Sequence, residues 1–184
     1  MNDAAFPSFI NPTPLGQDFM RYDFLTPEFC EYIVMAAEGQ EWSSNRFDAY
    51  RTQDIYLEEA IPDLFESIDL HLQHRIWPSV TKYWDVDPIK TSTAFVLKYT
   101  MDSQKSLPLH HDESFISASV KLNQDYEGGI LKFPRQGFTN EDLEVGQLLC
   151  WPSKITHPHL STELISGTKY SLTIWTEEYT EDDE

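Results

Sequence analysis

The stretch TSTAFVLKYTMDSQKSLPLHHDESFISASVKLN, residues 91–123, decides the fold. Two runs within it, TSTAFVLKYT (91–100) and SFISASVKLN (114–123), are rich in β-branched and aromatic residues and bounded by polar turn-formers, so both are predicted strands. Three more runs of the same texture follow, GILKFPR (129–135), GQLLCW (146–151) and TKYSLTIWTE (168–177), separated by Gly, Pro, Asn and Asp. Five such strands after a helical first half predict an all-β core with a helical buttress, a sandwich or jelly roll.

Upstream, residues 1–20 are rich in Pro and Asn and are expected to be extended. Thr26-Pro27-Glu28 then has the order of an N-cap, a proline at the first helical position and an acid in the first turn. That helix should run through EFCEYIVMAAE and stop near Gly39. A second helical stretch runs from Pro62 towards Trp84, with Leu64, Phe65, Ile68, Leu72 and Ile76 at helical spacing and Pro78 expected to kink or divide it. His71 and His74 fall on this stretch and are expected to be partly exposed helix residues.

Composition narrows the classes. A chain of 184 residues with 40% hydrophobic and 14% aromatic residues is sized for one domain and is too apolar to be disordered. No apolar run reaches the ~20 residues of a membrane span, and MNDAAFPSFI lacks the basic start and apolar centre of a signal peptide. Cys30 and Cys150 form no CxxC pair and read as small buried hydrophobes, so a cytoplasmic location is expected. A net charge of −18 argues against a nucleic-acid partner, which needs a basic footprint. The acidic tail, residues 178–184, reads as a solvated end. There is no GxGxxG and no GxxxxGK[ST], hence no nucleotide-phosphate loop.

One constellation carries chemistry. In a strand, residues two apart face the same side, so His110 and Asp112 can point at one ion while His111 points away. THPHLS (156–161) offers a third ligand, His157 or His159, which strand parity cannot separate. Two imidazoles and one carboxylate on one face, with the opposite positions open, form the facial triad of non-haem Fe(II) oxygenases. Such an oxygenase working with 2-oxoglutarate needs a cation for the far carboxylate of that dianion. Lys169 is a candidate, and Ser171, two residues on, would share its strand face.

FVLKYTMDSQKSLPLHHDES (95–114), LNQDYEGGILKF (122–133) and WPSKITHPHLSTELISGTKYSL (151–172) resemble the catalytic domain of procollagen lysyl hydroxylases and, more loosely, prolyl 4-hydroxylases. YRTQDIYL (50–57) is similar to that family's TRDI stretch. The resemblance implies an Fe(II)- and 2-oxoglutarate-dependent dioxygenase on a double-stranded β-helix, a cupin-like jelly roll with N-terminal supporting helices. It implies that residues 1–184 are one dioxygenase domain: an extended segment (1–20), a helical buttress with first strands (21–90), a metal-binding β-core (91–177) and the acidic tail. It assigns the catalytic metal ligands to His110, Asp112 and His159, the second histidine of THPH, and 2-oxoglutarate contacts to Tyr99, Lys169 and Ser171. Lys169 stands where the resemblance implies arginine in lysyl hydroxylases and lysine in prolyl 4-hydroxylases, so its charge would act as a point rather than a fork. Ser119 replaces a common asparagine. Gly128-Gly129 is expected to serve a tight turn, and Trp151 either lines the pocket or packs in the core.

The expected activity is hydroxylation of an unactivated C–H bond, of a peptidyl lysine or proline, with release of succinate and CO2. O2 is a co-substrate, and ascorbate is implied as an auxiliary reductant. The alternatives are hydroxylation of a free amino acid or other small molecule, a non-catalytic β-helix sensor that binds without turnover, and a Zn2+ or Mn2+ cupin isomerase or hydrolase. A dead relative usually loses a ligand or the co-substrate cation, and none is missing here; the cupin enzyme has no use for Lys169-x-Ser171.

Overall fold

The computed structural model describes residues 5–44 and 52–179. Residues 1–4 of the extended segment, Tyr50 and Arg51 of YRTQDIYL, and residues 180–184 of the acidic tail lie outside them.

The chain opens with a hairpin of β1 (Thr13–Gly16) and β2 (Phe19–Asp23), so the segment expected to be merely extended supplies strands to a sheet. Gly16, Gln17 and Asp18 turn it with φ of 82°, 49° and 62°, the left-handed region in which short polar residues and glycine are least strained. Helix α1 (Pro27–Glu38) follows, with the Thr26 side chain accepting the Phe29 amide at 3.3 Å and Gly39 ending it, as the capping pattern predicts. Strands β3 (Ser43–Ser44) and β4 (Gln53–Tyr56) precede the short helix α2 (Leu57–Ala60) and helix α3 (Pro62–His71). The second helical stretch is divided, as expected. A π-helical turn, Leu72–Ile76, comes first, and then α4 (Trp77–Trp84) restarts with Pro78 in its first turn. There the missing proline N–H costs no helical hydrogen bond. His71 is half-buried against the Phe6 ring at 3.5 Å between centroids, and His74 is exposed.

The remainder is sheet: β5 (Ile89–Thr100), β6 (Leu107–His110), β7 (Ile116–Lys121), β8 (Tyr126–Gly128), β9 (Leu131–Phe133), β10 (Phe138–Thr139), β11 (Gln147–Pro152), β12 (His159–Ser161) and β13 (Leu164–Glu178). A large antiparallel sheet runs in the order β1-β2-β11-β7-β13-β5-β4-β3, with β8 attached to β13. A small one runs β10-β9-β12-β6. Two antiparallel sheets of this order make the jelly roll expected from the strand texture.

Strand parity sorts the large sheet into two faces. Ala94 and Val96 of β5, Ala118 and Val120 of β7, Leu148 and Cys150 of β11, and Leu172 and Ile174 of β13 join Ile33, Leu64, Ile68, Leu72 and Trp77 of the helices in one core. Each fully buried Leu or Ile there contributes roughly 1.5–3 kcal/mol of transfer free energy. Cys30 and Cys150 are both buried free thiols in this layer. Residues of the opposite parity, Phe95, Leu97 and Tyr99 of β5, Ser119 and Lys121 of β7, and Lys169, Ser171, Thr173 and Trp175 of β13, line a cavity on the other face. The helices therefore hold one side of the sheet rigid, which leaves the other side free to carry polar groups. Among the described residues, no helix is long and apolar enough to cross a membrane.

Candidate active site

The cavity has a volume of about 500 Å³ and draws its walls from both sheets. At one end stand His110, Asp112 and His159, each offering a ligand atom within 4.8 Å of the others. His110 Nε2 lies 3.4 Å and His159 Nε2 3.6 Å from the same Asp112 oxygen, Oδ1. The second carboxylate oxygen, Oδ2, accepts the Ser117 hydroxyl at 2.6 Å.

Each imidazole is oriented from behind. His110 Nδ1 is 2.8 Å from the Pro108 carbonyl oxygen and His159 Nδ1 is 3.1 Å from that of His157. A carbonyl can only accept, so each Nδ1 carries a proton and, in the neutral ring, each Nε2 has its lone pair free for the shared space. Such backing bonds fix tautomer and ring angle at metal-binding histidines. Two neutral imidazoles and one carboxylate match the donor set of a 2-His-1-carboxylate centre, so these residues fit an Fe(II) ion.

Without an ion, Asp112 and His110 instead favour each other's charged forms, His110 Nε2 then donating to Asp112. Burial raises the pKa of Asp112, but the His110 hydrogen bond, the charge of His159 and the Ser117 hydroxyl outweigh it and hold the carboxyl below its ordinary value. Burial alone lowers His110, yet the Asp112 hydrogen bond, the Pro108 carbonyl and the Asp112 charge reverse this and raise it. His159 stays lowered, chiefly by burial.

The local structure differs from the strand geometry expected of HxD. Only His110 is in β6; Asp112 lies in the loop beyond the strand end. The convergence comes instead from the end of β6, where the chain turns and brings the carboxylate, only 6% exposed, back beneath the ring. His111 stays outside the ligand cluster, with Nε2 3.1 Å from the Ile155 carbonyl oxygen, although it too borders the cavity. The choice between the two C-terminal histidines is also visible. His159 opens β12 and is the register partner of His110. His157 is buried on the far side, Nε2 2.9 Å from the Gln17 carbonyl oxygen and Nδ1 2.8 Å from the Thr156 hydroxyl, with its ring edge-on to Phe19.

Elsewhere in the same cavity lie Tyr99, Lys169 and Ser171, 2%, 5% and 7% exposed respectively. Tyr99 and Lys169 are register partners across β5 and β13, and the ammonium stands 4.6 Å from the centre of the Tyr99 ring. Lys169 Nζ donates to the Gly129 carbonyl at 2.6 Å and the Ser161 hydroxyl at 3.2 Å. Burial, helped by the charge of Lys121, pulls the Lys169 pKa down to about 7. Burial raises that of Tyr99 despite a hydrogen bond with Ser161.

In place of the tight turn expected at Gly128-Gly129, Gly128 ends β8 and Gly129 begins the short link that carries the chain to β9 in the other sheet, at φ of 74° and 59°. The Gly129 position is fixed by contact: a Cβ there would sit 3.0 Å from Lys169 Cδ. Trp151 answers to both expectations, 1% exposed and yet part of the cavity wall, its ring centred 5.2 Å from that of His159.

Two residues escape the sequence reading, Ser117 under Asp112 and Ser161 under Lys169. Ser161 had a signal, since it lies two residues after His159 and shares its parity in β12. Ser117 had none beyond its position in an apolar strand.

Comparison with known proteins agrees with this geometry. Over 171 residues, 82% of its length, the chain is 30% identical to the multifunctional procollagen lysine hydroxylase and glycosyltransferase of Caenorhabditis elegans. It is 28% identical over 173 residues, 84% of its length, to the procollagen-lysine,2-oxoglutarate 5-dioxygenase of Drosophila melanogaster. The chain spans 23% of the length of each. Among solved structures, the 2OG complex of the viral collagen prolyl hydroxylase vCPH from Paramecium Bursaria Chlorella virus-1 superposes with a TM-score of 0.66 at 15% identity, covering 89% of this chain and 98% of that one. No family model matches the chain. Over most of its length the sequence is thus similar to one part of procollagen-lysine hydroxylases, and its jelly roll is the fold of the viral collagen prolyl hydroxylase.

Proposed function

We propose that the chain is an Fe(II)- and 2-oxoglutarate-dependent dioxygenase that hydroxylates an unactivated C–H bond of a peptidyl lysine or proline. The observation that carries this reading is the joint placement, in one cavity, of His110, Asp112 and His159 with Tyr99, Lys169 and Ser171. Homology to lysine hydroxylases and a shared fold with prolyl hydroxylases support the choice of substrate.

His110 and His159 would hold Fe(II) through Nε2 and Asp112 through Oδ1. With 2-oxoglutarate and O2 the metal supplies the oxidising chemistry, one oxygen atom entering the C–H bond and the other entering succinate as CO2 leaves. The chain's own part is positioning. Asp112 supplies negative charge against the cation, and Ser117 holds its orientation. Lys169, steadied by Gly129 and Ser161, binds the distal carboxylate of 2-oxoglutarate, with Ser171 beside it. Leu97, Phe95 and Trp175 supply apolar wall beside the hydroxyls of Ser119 and Thr173 and limit water at the reacting end.

The test is mass spectrometry of lysine- and proline-containing peptides incubated with the Fe(II)-loaded protein, 2-oxoglutarate and ascorbate, with succinate measured in parallel. A +16 Da peptide in step with succinate supports the reading. No 2-oxoglutarate binding under anaerobic conditions sinks it.

A further inference from the structure

We propose that Lys121 is a second cation of the co-substrate site, so that two lysines rather than one hold the distal carboxylate of 2-oxoglutarate. The inference rests on the functional reading above and adds a residue to it.

Lys121 ends β7 on the cavity face, and its register partner across β13 is Ser171. Lys169, two residues before Ser171 on β13, is therefore the diagonal neighbour of Lys121 on one face of the sheet, and such neighbours lie about 7–8 Å apart at Cα. Two long side chains at that spacing can meet around a single carboxylate.

Their partners show why an anion belongs there. Lys121 Nζ donates to one group, the Leu143 carbonyl, at 2.8 Å. Lys169 Nζ donates to a carbonyl and a hydroxyl. An ammonium has three donors, which leaves Lys121 with two and Lys169 with one for a ligand. Among the described residues, neither amine forms an ion pair with a carboxylate. Of the three acids that line the cavity, Glu113 is exposed and the other two are engaged elsewhere. Asp112 faces the two histidines, and Asp54 accepts the hydroxyls of Ser43 and Thr52. Two ammonium groups facing one partly dry cavity repel each other, and burial already disfavours the charge on both. A dianionic ligand relieves that repulsion, whereas a monoanion held at the metal end does not reach it. A lone lysine meets a carboxylate as a single point charge, so the second one also restores some of the directionality of an arginine fork.

The test compares Lys121→Met, which keeps the apolar stem, with Lys121→Arg, which keeps the charge. Calorimetry on the Fe(II)-loaded, anaerobic protein gives the Kd of 2-oxoglutarate and of 2-oxopentanoate, which lacks the distal carboxylate. Lys121→Met is expected to weaken 2-oxoglutarate about tenfold, as loss of one charge-assisted contact does, and to leave 2-oxopentanoate unchanged. Lys121→Arg should stay within about threefold of the wild type. A wild-type affinity for 2-oxoglutarate retained by Lys121→Met overturns the inference, as does an equal loss for both acids, which would mark a merely structural lysine. A wild-type protein that binds no 2-oxoglutarate overturns the functional reading and this inference together.

Discussion

His159 faces His110 directly across the β12–β6 pair, with their rings 4.4 Å apart and both Nε2 atoms turned to one Asp112 oxygen. A metal bound there would join two strands and one loop, so ligand loss and loss of a ligand's support should differ in degree. Asp112→Ala should lower Fe(II) affinity by roughly 100-fold or more. Ser117→Ala leaves the carboxylate but frees its rotation and should cost about tenfold. Anaerobic calorimetric titration with Fe(II) measures both, and equal affinities for wild type and Asp112→Ala would remove Asp112 from the site.

The two histidines of THPH should separate cleanly. His157 bonds the Gln17 carbonyl and the Thr156 hydroxyl, away from the cavity. His157→Ala should therefore leave Fe(II) affinity within about twofold and instead destabilise the fold by about 1–3 kcal/mol, read by denaturant unfolding. His159→Ala should abolish Fe(II) binding. The opposite pattern would transfer the ligand role to His157.

The depressed pKa of Lys169, about 7, sets a pH dependence with a definite sign. The amine must be charged to bind a carboxylate, so 2-oxoglutarate affinity should be highest below pH 7. It should fall as pH rises through that value, approaching tenfold per pH unit. The free protein should show the reverse trend. Between the lowered folded pKa and the ordinary lysine value the unfolded chain holds the extra proton, so Lys169 favours folding more as pH rises across that window. Isothermal titration from pH 6 to 9 reads the first effect, and Lys169→Met should flatten it.

Gly128 should tolerate no side chain. Its φ is 74° and an added Cβ would stand 2.2 Å from the Glu163 carbonyl oxygen, a backbone atom that cannot rotate away. Gly128→Ala should lose at least about 1–2 kcal/mol from the left-handed backbone alone, seen as a lower Tm. At Gly137, also in the left-handed region, nothing lies within 4 Å of the added Cβ. Gly137→Ala should therefore lose only the backbone part.

The strands that the sequence makes legible are those with enough residues to show a texture. The run Ala94–Tyr99 alternates between helix core and cavity, and its β-branched and aromatic composition identifies it as β5 without help. By contrast β8, β9, β10 and β12 have two or three residues each, too few for a period of two to appear, and β6 hides behind Pro108. Of these, only β9 falls inside a run that the texture marks. The hairpin of β1 and β2 is masked by prolines and by Gly16-Gln17-Asp18, which reads as loop until its pairing with β11 is known. In the candidate site, spacing picks out His110, Asp112, Lys169 and Ser171, because chemistry needs those residue types. The serines beneath them are invisible for the opposite reason: a serine in a strand is common, and only its neighbour gives it a task.

The short β6 strand is a sheet edge held by register pairs at its two ends, His110 with His159 and Leu107 with Ser161. So slight a ladder would open and close readily on its own. A metal held by His110 and His159 would act on this strand as a rivet, placed at the end where the chain leaves for Asp112. Occupancy of the site thereby becomes a mechanical property of the small sheet. Amide exchange at residues 107–112 should slow on metal binding while that of β5 and β13 stays unchanged, so the edge strand would report the loaded state of the protein before any substrate arrives.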